Sequence, residues 1–201
     1  MGMIFSSVVP KISHKLRKEL KRIPGLRLWE LGRNLTVPLR HNYRQIEKLG
    51  SDRAVNVYGA VRFYRPPLLI LDFGTALTCD FVSLKGRYEG GLIIPGPQIA
   101  FEALCRRAAL LPKLGFPRKA GSLLGRDTAS GMNSGLLYGY AAMADGLACR
   151  FRARFGRRLK VIATGGFASL IASYSKEIDT VDPLLSLKSL ARLYRDTKAS
   201  A

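Results

Sequence analysis

Histidine and cysteine are too scarce in this chain to build a metal centre or a disulfide frame. His14 and His41 are the only histidines, and Cys79, Cys105 and Cys149 are odd in number with no C-x-x-C spacing. They read as reduced, buried thiols. Long apolar runs are missing too: none approaches the roughly 18 residues that span a bilayer. The opening MGMIFSSVVPKIS has no basic stretch ahead of its short apolar one, so the chain reads as soluble and cytoplasmic, with no membrane partner. Acidic residues are few, 14 Asp and Glu against 33 Lys and Arg, for a formal charge of +19. Such an excess attracts polyanions, acidic substrates or anionic surfaces without choosing among them. It is densest early, since residues 1–67 hold 14 basic and 4 acidic residues. Apolar residues are plentiful: at 47% of 201 positions they suffice for the core of one domain or two small lobes.

The pattern alternates strands and helices. IFSSVV (4–9) reads as a strand ended by Pro10, and KISHKLRKELKRI places Ile12, Leu16, Leu20 and Ile23 on one face of a basic helix. LRLWELG is a further strand. An irregular passage through Pro38 and Tyr43 leads to Gly50, after which Ser51 or Asp52 can cap a helix with Ala54, Val57, Val61 and Tyr64 inward. Strands follow at 68–73, 76–83 and 87–94, joined by turns at Gly74 and Lys85-Gly86. A helix over 98–109 precedes a Pro- and Gly-rich loop, and a long helix runs from Thr128 to about Phe155. Gly131, Gly135, Gly139 and Gly146 recur along it, which suggests close helix packing despite their propensity cost. LKVIATGG (159–166) is a buried strand entering a glycine turn. FASLIASY and VDPLLSLKSLARLY supply the last helices, and TKASA reads as a frayed tail.

The chemistry concentrates in LLILDFGTALTCDFVSLKGRYEGGLIIPG (68–96). A strand–turn–strand of this kind can hold a phosphate on outward backbone N–H groups, with Gly74 allowing close approach and Thr75 adding a hydroxyl. Asp72 would repel a phosphate unless a cation or cation-bound water stood between them. The bland alternative is that Asp72 and Asp80 end strands and Gly74 makes a turn, at roughly even odds for an isolated D-x-G-T. Upstream, the aspartate of GSDR (50–53) is either a helix cap or a general base, with Arg53 holding an anionic substrate. Thr164-Gly165-Gly166 is either an ordinary turn or a surface for the adenosine half of a nucleotide.

Taken in order, SSVVP (6–10), Tyr43, GSDR (50–53), DFGTALTCD (72–80), GRYEGGLIIPG (86–96), ALCRRAALLP (103–112), GRDTASGMNSG (125–135), ATGG (163–166) and DPLLSLKSLARLY (182–194) resemble the type III pantothenate kinases. These are a branch of the acetate-kinase, sugar-kinase, Hsp70 and actin superfamily. The resemblance covers nearly the whole chain. It implies an α/β, ribonuclease-H-like (actin-like ATPase) fold of two lobes, 1–66 and 67–201, and ATP-dependent phosphorylation of pantothenate, the first step of coenzyme A synthesis. It further implies Asp52 as proton acceptor, and Tyr43, Gly50, Ser51, Asp52, Arg53 and Thr128 as contacts to pantothenate. Thr75 would contact ATP and Asp72 a monovalent cation, potassium or ammonium. Magnesium and a homodimer with its site near the subunit interface are also implied.

The family normally opens with a strand and a D-x-G-N-T phosphate loop ahead of S-S-V-V-P. No such motif occurs between Met1 and Gly50, so the first lobe is expected to be truncated at its N-terminus and the chain's activity impaired. Either the start is an internal methionine, or the chain is a shortened, divergent member with exposed strand edges. Lys188 and Asp196 depart from the family's usual Gly and Asn. The resemblance extends to Bvg accessory factors, associated with transcriptional activation, and the basic runs at 11–22 and 149–160 leave a nucleic-acid-associated role as the alternative. No recognition motif supports it, and both runs read better as solvated faces. A sugar kinase is a third reading, less well matched by GSDR and GRYEGGLIIPG.

Overall fold

A computed structural model describes residues 2–7 and 9–199. Its centre is a five-stranded sheet in the order β5-β4-β3-β6-β7. Strands β3 (Leu68–Phe73), β4 (Ala76–Val82) and β5 (Tyr88–Pro95) form an antiparallel meander. β6 (Lys160–Thr164) and β7 (Thr180–Val181) extend it in parallel on the other side of β3. The nearly continuous apolar run of β3 follows from its central position, since a strand covered on both faces needs apolar side chains on both. Leu69, Leu71 and Phe73 face one core, with Leu77, Cys79 and Phe81 from β4. Leu68 and Ile70 face the other, with Val82 and Ile162. A side-chain period of two fixes this division and sends Asp72, Thr78, Asp80 and Thr164 to the second face.

The first face is covered by α3 (Pro97–Arg107), α4 (Thr128–Phe155) and α5 (Ala168–Ala172). The second is covered by α2 (Ser51–Phe63), with α6 (Leu185–Ala199) packed against it. Beyond them lies a two-stranded parallel sheet of β1 (Gly2–Phe5) and β2 (Arg27–Glu30), flanked by α1 (Pro10–Leu20). Helix α2 is thus enclosed between two sheets. Val57 and Ala60 pack on the large one, while Val55 and Tyr58 join Leu31 and Leu193 toward the small one. That explains why eight consecutive residues, Arg53–Ala60, are buried, where the spacing predicts a single inner face.

Several expectations change. The strand expected over 4–9 is observed at Gly2–Phe5, and Val8 lies outside the described residues. The glycines of α4 do not mark close packing, because a Cβ added at Gly131, Gly135, Gly139 or Gly146 would meet open space. The close crossing is elsewhere: a Cβ at Gly59 would collide with Ser189, so α2 and α6 approach through a glycine. Only Cys79 of the three free thiols is buried, and Cys149 is exposed. The tail expected to fray stays helical through Ala199, with the Thr197 hydroxyl donating to the Leu193 carbonyl; Ser200 and Ala201 lie outside the described residues. Among the described residues no helix is long and apolar enough to cross a membrane.

Candidate active site

The ends of β3, α2, α6 and β6 bring a set of polar side chains together on the second face of the sheet. Asp72, the penultimate residue of β3, lies opposite Thr164 of β6 in the parallel register. The Asn56 amide donates to Asp72 Oδ2 at 2.8 Å, and the Ser186 hydroxyl donates to Asn56 Oδ1 at 2.7 Å. Asp52 stands one helical turn before Asn56 on the same face of α2. It is exposed, in the first turn of the helix, where its charge suits the helix dipole. Capping by Ser51 or Asp52 is not observed: the N-cap is Gly50, without a side-chain cap bond. Asp52 Oδ1 accepts instead from the Arg53 N–H at 2.8 Å, and the Ser51 and Ser6 hydroxyls lie 2.9 Å apart, tying the segment after β1 to this helix start.

Burial raises the Asp72 carboxyl to about 6, against the Asn56 hydrogen bond, which lowers it, and with the charges of Asp52 and Asp80, which raise it further. Geometry supports a site rather than a strand end. A Cβ at Gly165, whose φ is +92°, would collide with Asp72 Oδ1, so only glycine lets the β6 turn pass over the carboxylate. Thr164 Oγ1 is buried and has no hydrogen-bond partner among the described residues. A half-buried carboxylate beside a buried, unspent hydroxyl is a donor set that suits a hard cation. No group of three His, Cys, Asp or Glu among the described residues could hold a metal ion by itself. A divalent ion here would therefore need phosphate or water as further ligands.

The next pair along β4 is different. Arg53 donates to Asp80 Oδ1 at 2.6 Å and to the Tyr88 hydroxyl at 2.8 Å, and Tyr88 donates to Asp80 Oδ1 at 2.8 Å. Burial opposes the charge on Arg53, but the hydrogen bond and charge of Asp80 outweigh it and raise the guanidinium pKa. The free cation expected at Arg53 is therefore not found. Arg53 is 7% exposed and its guanidinium is committed to Asp80, which is 1% exposed. Gly91 makes room, since a Cβ there would stand 2.7 Å from Arg53 Nη2. Tyr43 packs its ring 5.4 Å from that of Tyr88, so Tyr43, Arg53, Asp80 and Tyr88 form one wall.

Gly74 and Thr75 form the β3–β4 turn, with Thr75 exposed. The turn is fixed by the Gly96 N–H donating to Thr75 O at 3.1 Å, and a Cβ at Gly96 would collide with both turn carbonyls. Thr128 is not brought to the aspartates. It opens α4 on the opposite face, and the Tyr140 hydroxyl bonds to Pro95 O near the Gly74–Thr75 end of the sheet. Thr128 thus lies about 18 Å further along the helix axis, at 1.5 Å per residue. There it lines an apolar groove of 470 Å³ with Phe101, Leu104, Gly135 and Tyr140. Asn56, Ser186 and Tyr88 were not legible as site residues, and Thr164 was legible only as part of a turn or an adenosine surface. Asn56 had one signal, its position four residues after Asp52, while Ser186 had none.

The site lies on an α/β sheet with acidic, glycine-lined loops at one end, and comparison with known proteins narrows its class. The sequence model of the type III pantothenate kinases matches residues 1–150. A type III pantothenate kinase of Myxococcus xanthus (strain DK1622) is 41% identical over 199 residues, covering 99% of this chain and 77% of that protein. The chain belongs to the type III pantothenate kinase family. A crystal structure of a conserved Campylobacter jejuni protein assigned to the Baf family of transcriptional activators superposes with a TM-score of 0.59. It is 17% identical, over 99% of this chain and 84% of that one, a likeness of fold alone.

Proposed function

We propose that this protein transfers the γ-phosphoryl group of ATP to the hydroxyl of pantothenate, giving 4′-phosphopantothenate, the first step of coenzyme A synthesis. The observation that carries the reading is the placement of exposed Asp52 one helical turn from the residue that binds half-buried Asp72, in a chain 41% identical to a type III pantothenate kinase. The pantothenate oxygen attacks the γ-phosphorus, the bond from that phosphorus to the bridging oxygen of ADP breaks, and Asp52 takes the hydroxyl proton. Positioning and charge neutralisation supply most of what this transfer needs. Gly50, Ser51 and Tyr43 line the substrate side, with Arg53 as a fixed wall, and Thr75 meets the nucleotide. A monovalent cation, potassium or ammonium, would sit on Asp72 and Thr164 and add positive charge beside the phosphates; magnesium would take its other ligands from phosphate and water.

In this reading the small and large sheets belong to two ribonuclease-H-like lobes, 1–66 and 67–201, with ATP between them, in a cytoplasmic enzyme. The distance of Thr128 from Asp52 favours a homodimer in which a second copy supplies Thr128. The test is formation of phosphopantothenate and ADP in equal amounts from ATP, magnesium and pantothenate in KCl. Asp52→Ala should abolish it. ATP and pantothenate binding without phosphopantothenate would sink the kinase reading.

A further inference from the structure

We infer that Asn56 and Ser186 are positioning residues for Asp72, so that the C-terminal helix α6 is a working part of the site. In the kinase reading proposed above, on which the identity of the ligand rests, Asp72 faces a monovalent cation next to the nucleotide phosphates. A carboxylate at a strand end turns easily about its last torsion, which is broad and two-fold. What sets its plane is the hydrogen bonding around it. Asn56 takes Oδ2 at 2.8 Å, and Oδ1 is left over the α-carbon of Gly165, near Gly74 and on the Thr164 side of the sheet.

The amide of Asn56 has two ends that can exchange by a flip, so one hydrogen bond does not fix it. Two do. An ionised Asp72 only accepts, which demands the NH2 end, and the Ser186 hydroxyl donates to the carbonyl end at 2.7 Å. The polarity runs from α6 through α2 to β3. Asn56 is 1% exposed, so its carbonyl relies on the Ser186 hydroxyl, and losing that hydroxyl would leave the amide free to turn. Helix α6 is held in place for this by its close crossing with α2 at Gly59 and Ser189. The bond from the Tyr58 hydroxyl to Asp196, at 2.5 Å, adds a second tie.

The experiment compares the parent with Ser186→Ala, Ser186→Thr and Asn56→Ala. Two readouts are taken: the side-chain amide signal of Asn56 in ¹⁵N-labelled protein as KCl replaces an equal concentration of choline chloride, and the potassium dependence of phosphopantothenate formation. Ser186→Ala is expected to raise the half-activating potassium concentration at least fivefold while kcat at saturating potassium stays within twofold. Ser186→Thr should remain within twofold of the parent. The Asn56 amide should move with potassium in the parent and stop doing so in Ser186→Ala. A merely structural role would lower the melting temperature and leave the potassium midpoint unchanged, and that result overturns the inference. A parent that makes no phosphopantothenate removes the kinase reading alone, and the amide then decides. A potassium response lost in Ser186→Ala upholds the brace; one that persists there, or is absent from the parent, overturns it.

Discussion

Burial beside Asp52 and Asp80 holds the Asp72 carboxyl at about 6, against an ordinary 3.8, so the folded protein binds a proton there more tightly than the unfolded chain does. Stability from this group is therefore fully present below about pH 3.8 and is lost as pH rises through 6. The loss is of order 1–3 kcal/mol at pH 8. Asp72→Asn removes that cost: in buffer without monovalent metal ions its urea midpoint should exceed the parent's at pH 8, with the difference shrinking below pH 6. A carboxylate kept at such a cost is what the proposed cation site would require. Asp80 is the contrast. Removing its partner by Arg53→Ala strands a buried charge and should destabilise by about 3–5 kcal/mol in equilibrium unfolding, whereas Asp52→Ala on the exposed turn should shift stability by about 0.5 kcal/mol or less. Sequence reasoning could find Asp72 because a D-x-G-T turn is local. It could not distinguish Arg53 as a buried partner from Arg53 as a free cation, because Asp80 is 27 residues away.

Element positions were read well wherever a single period governs. The three strands of the meander fall within a residue of the apolar runs, and α4 spans Thr128–Phe155 as its pattern predicts. What the pattern could not convey is what surrounds an element. Helix α2 lies between two sheets, so its apparent single face was misleading, and the glycines of α4 meet open space. Helix α4 begins at a capping box in which Asp127 accepts from Ser130 N–H at 2.9 Å and the Ser130 hydroxyl accepts from Asp127 N–H at 3.1 Å. Asp127→Ala should cost about 1 kcal/mol, measurable as a lower denaturation midpoint. Gly165→Ala should cost more, because the residue needs both a positive φ and the space over Asp72, and it should depress phosphoryl transfer along with stability.

For the molecule as a whole, the proposed homodimer would set a second copy over α4, facing its open glycine stripe and Thr128. Mixing equal amounts of Asp52→Ala and Thr128→Ala protomers should regenerate one intact site per heterodimer and restore activity toward about a quarter of the parent's, the share of intact sites under random association, while either variant alone stays defective. No recovery on mixing would place both residues in one protomer's site. Of the Lys and Arg side chains behind the net charge of +19, Arg53 alone is buried among the described residues. The net charge suits anionic substrates through steering, and raising ionic strength from 50 to 300 mM should lower kcat/KM for ATP more than kcat.

The most direct measurement is the product balance of the reaction itself: ATP, magnesium, potassium and pantothenate incubated with the parent protein and with Asp52→Ala, followed by quantification of ADP and phosphopantothenate. One phosphopantothenate per ADP from the parent, and neither above background from Asp52→Ala, is the predicted result. ADP without phosphopantothenate, or equal phosphopantothenate from both proteins, would contradict it.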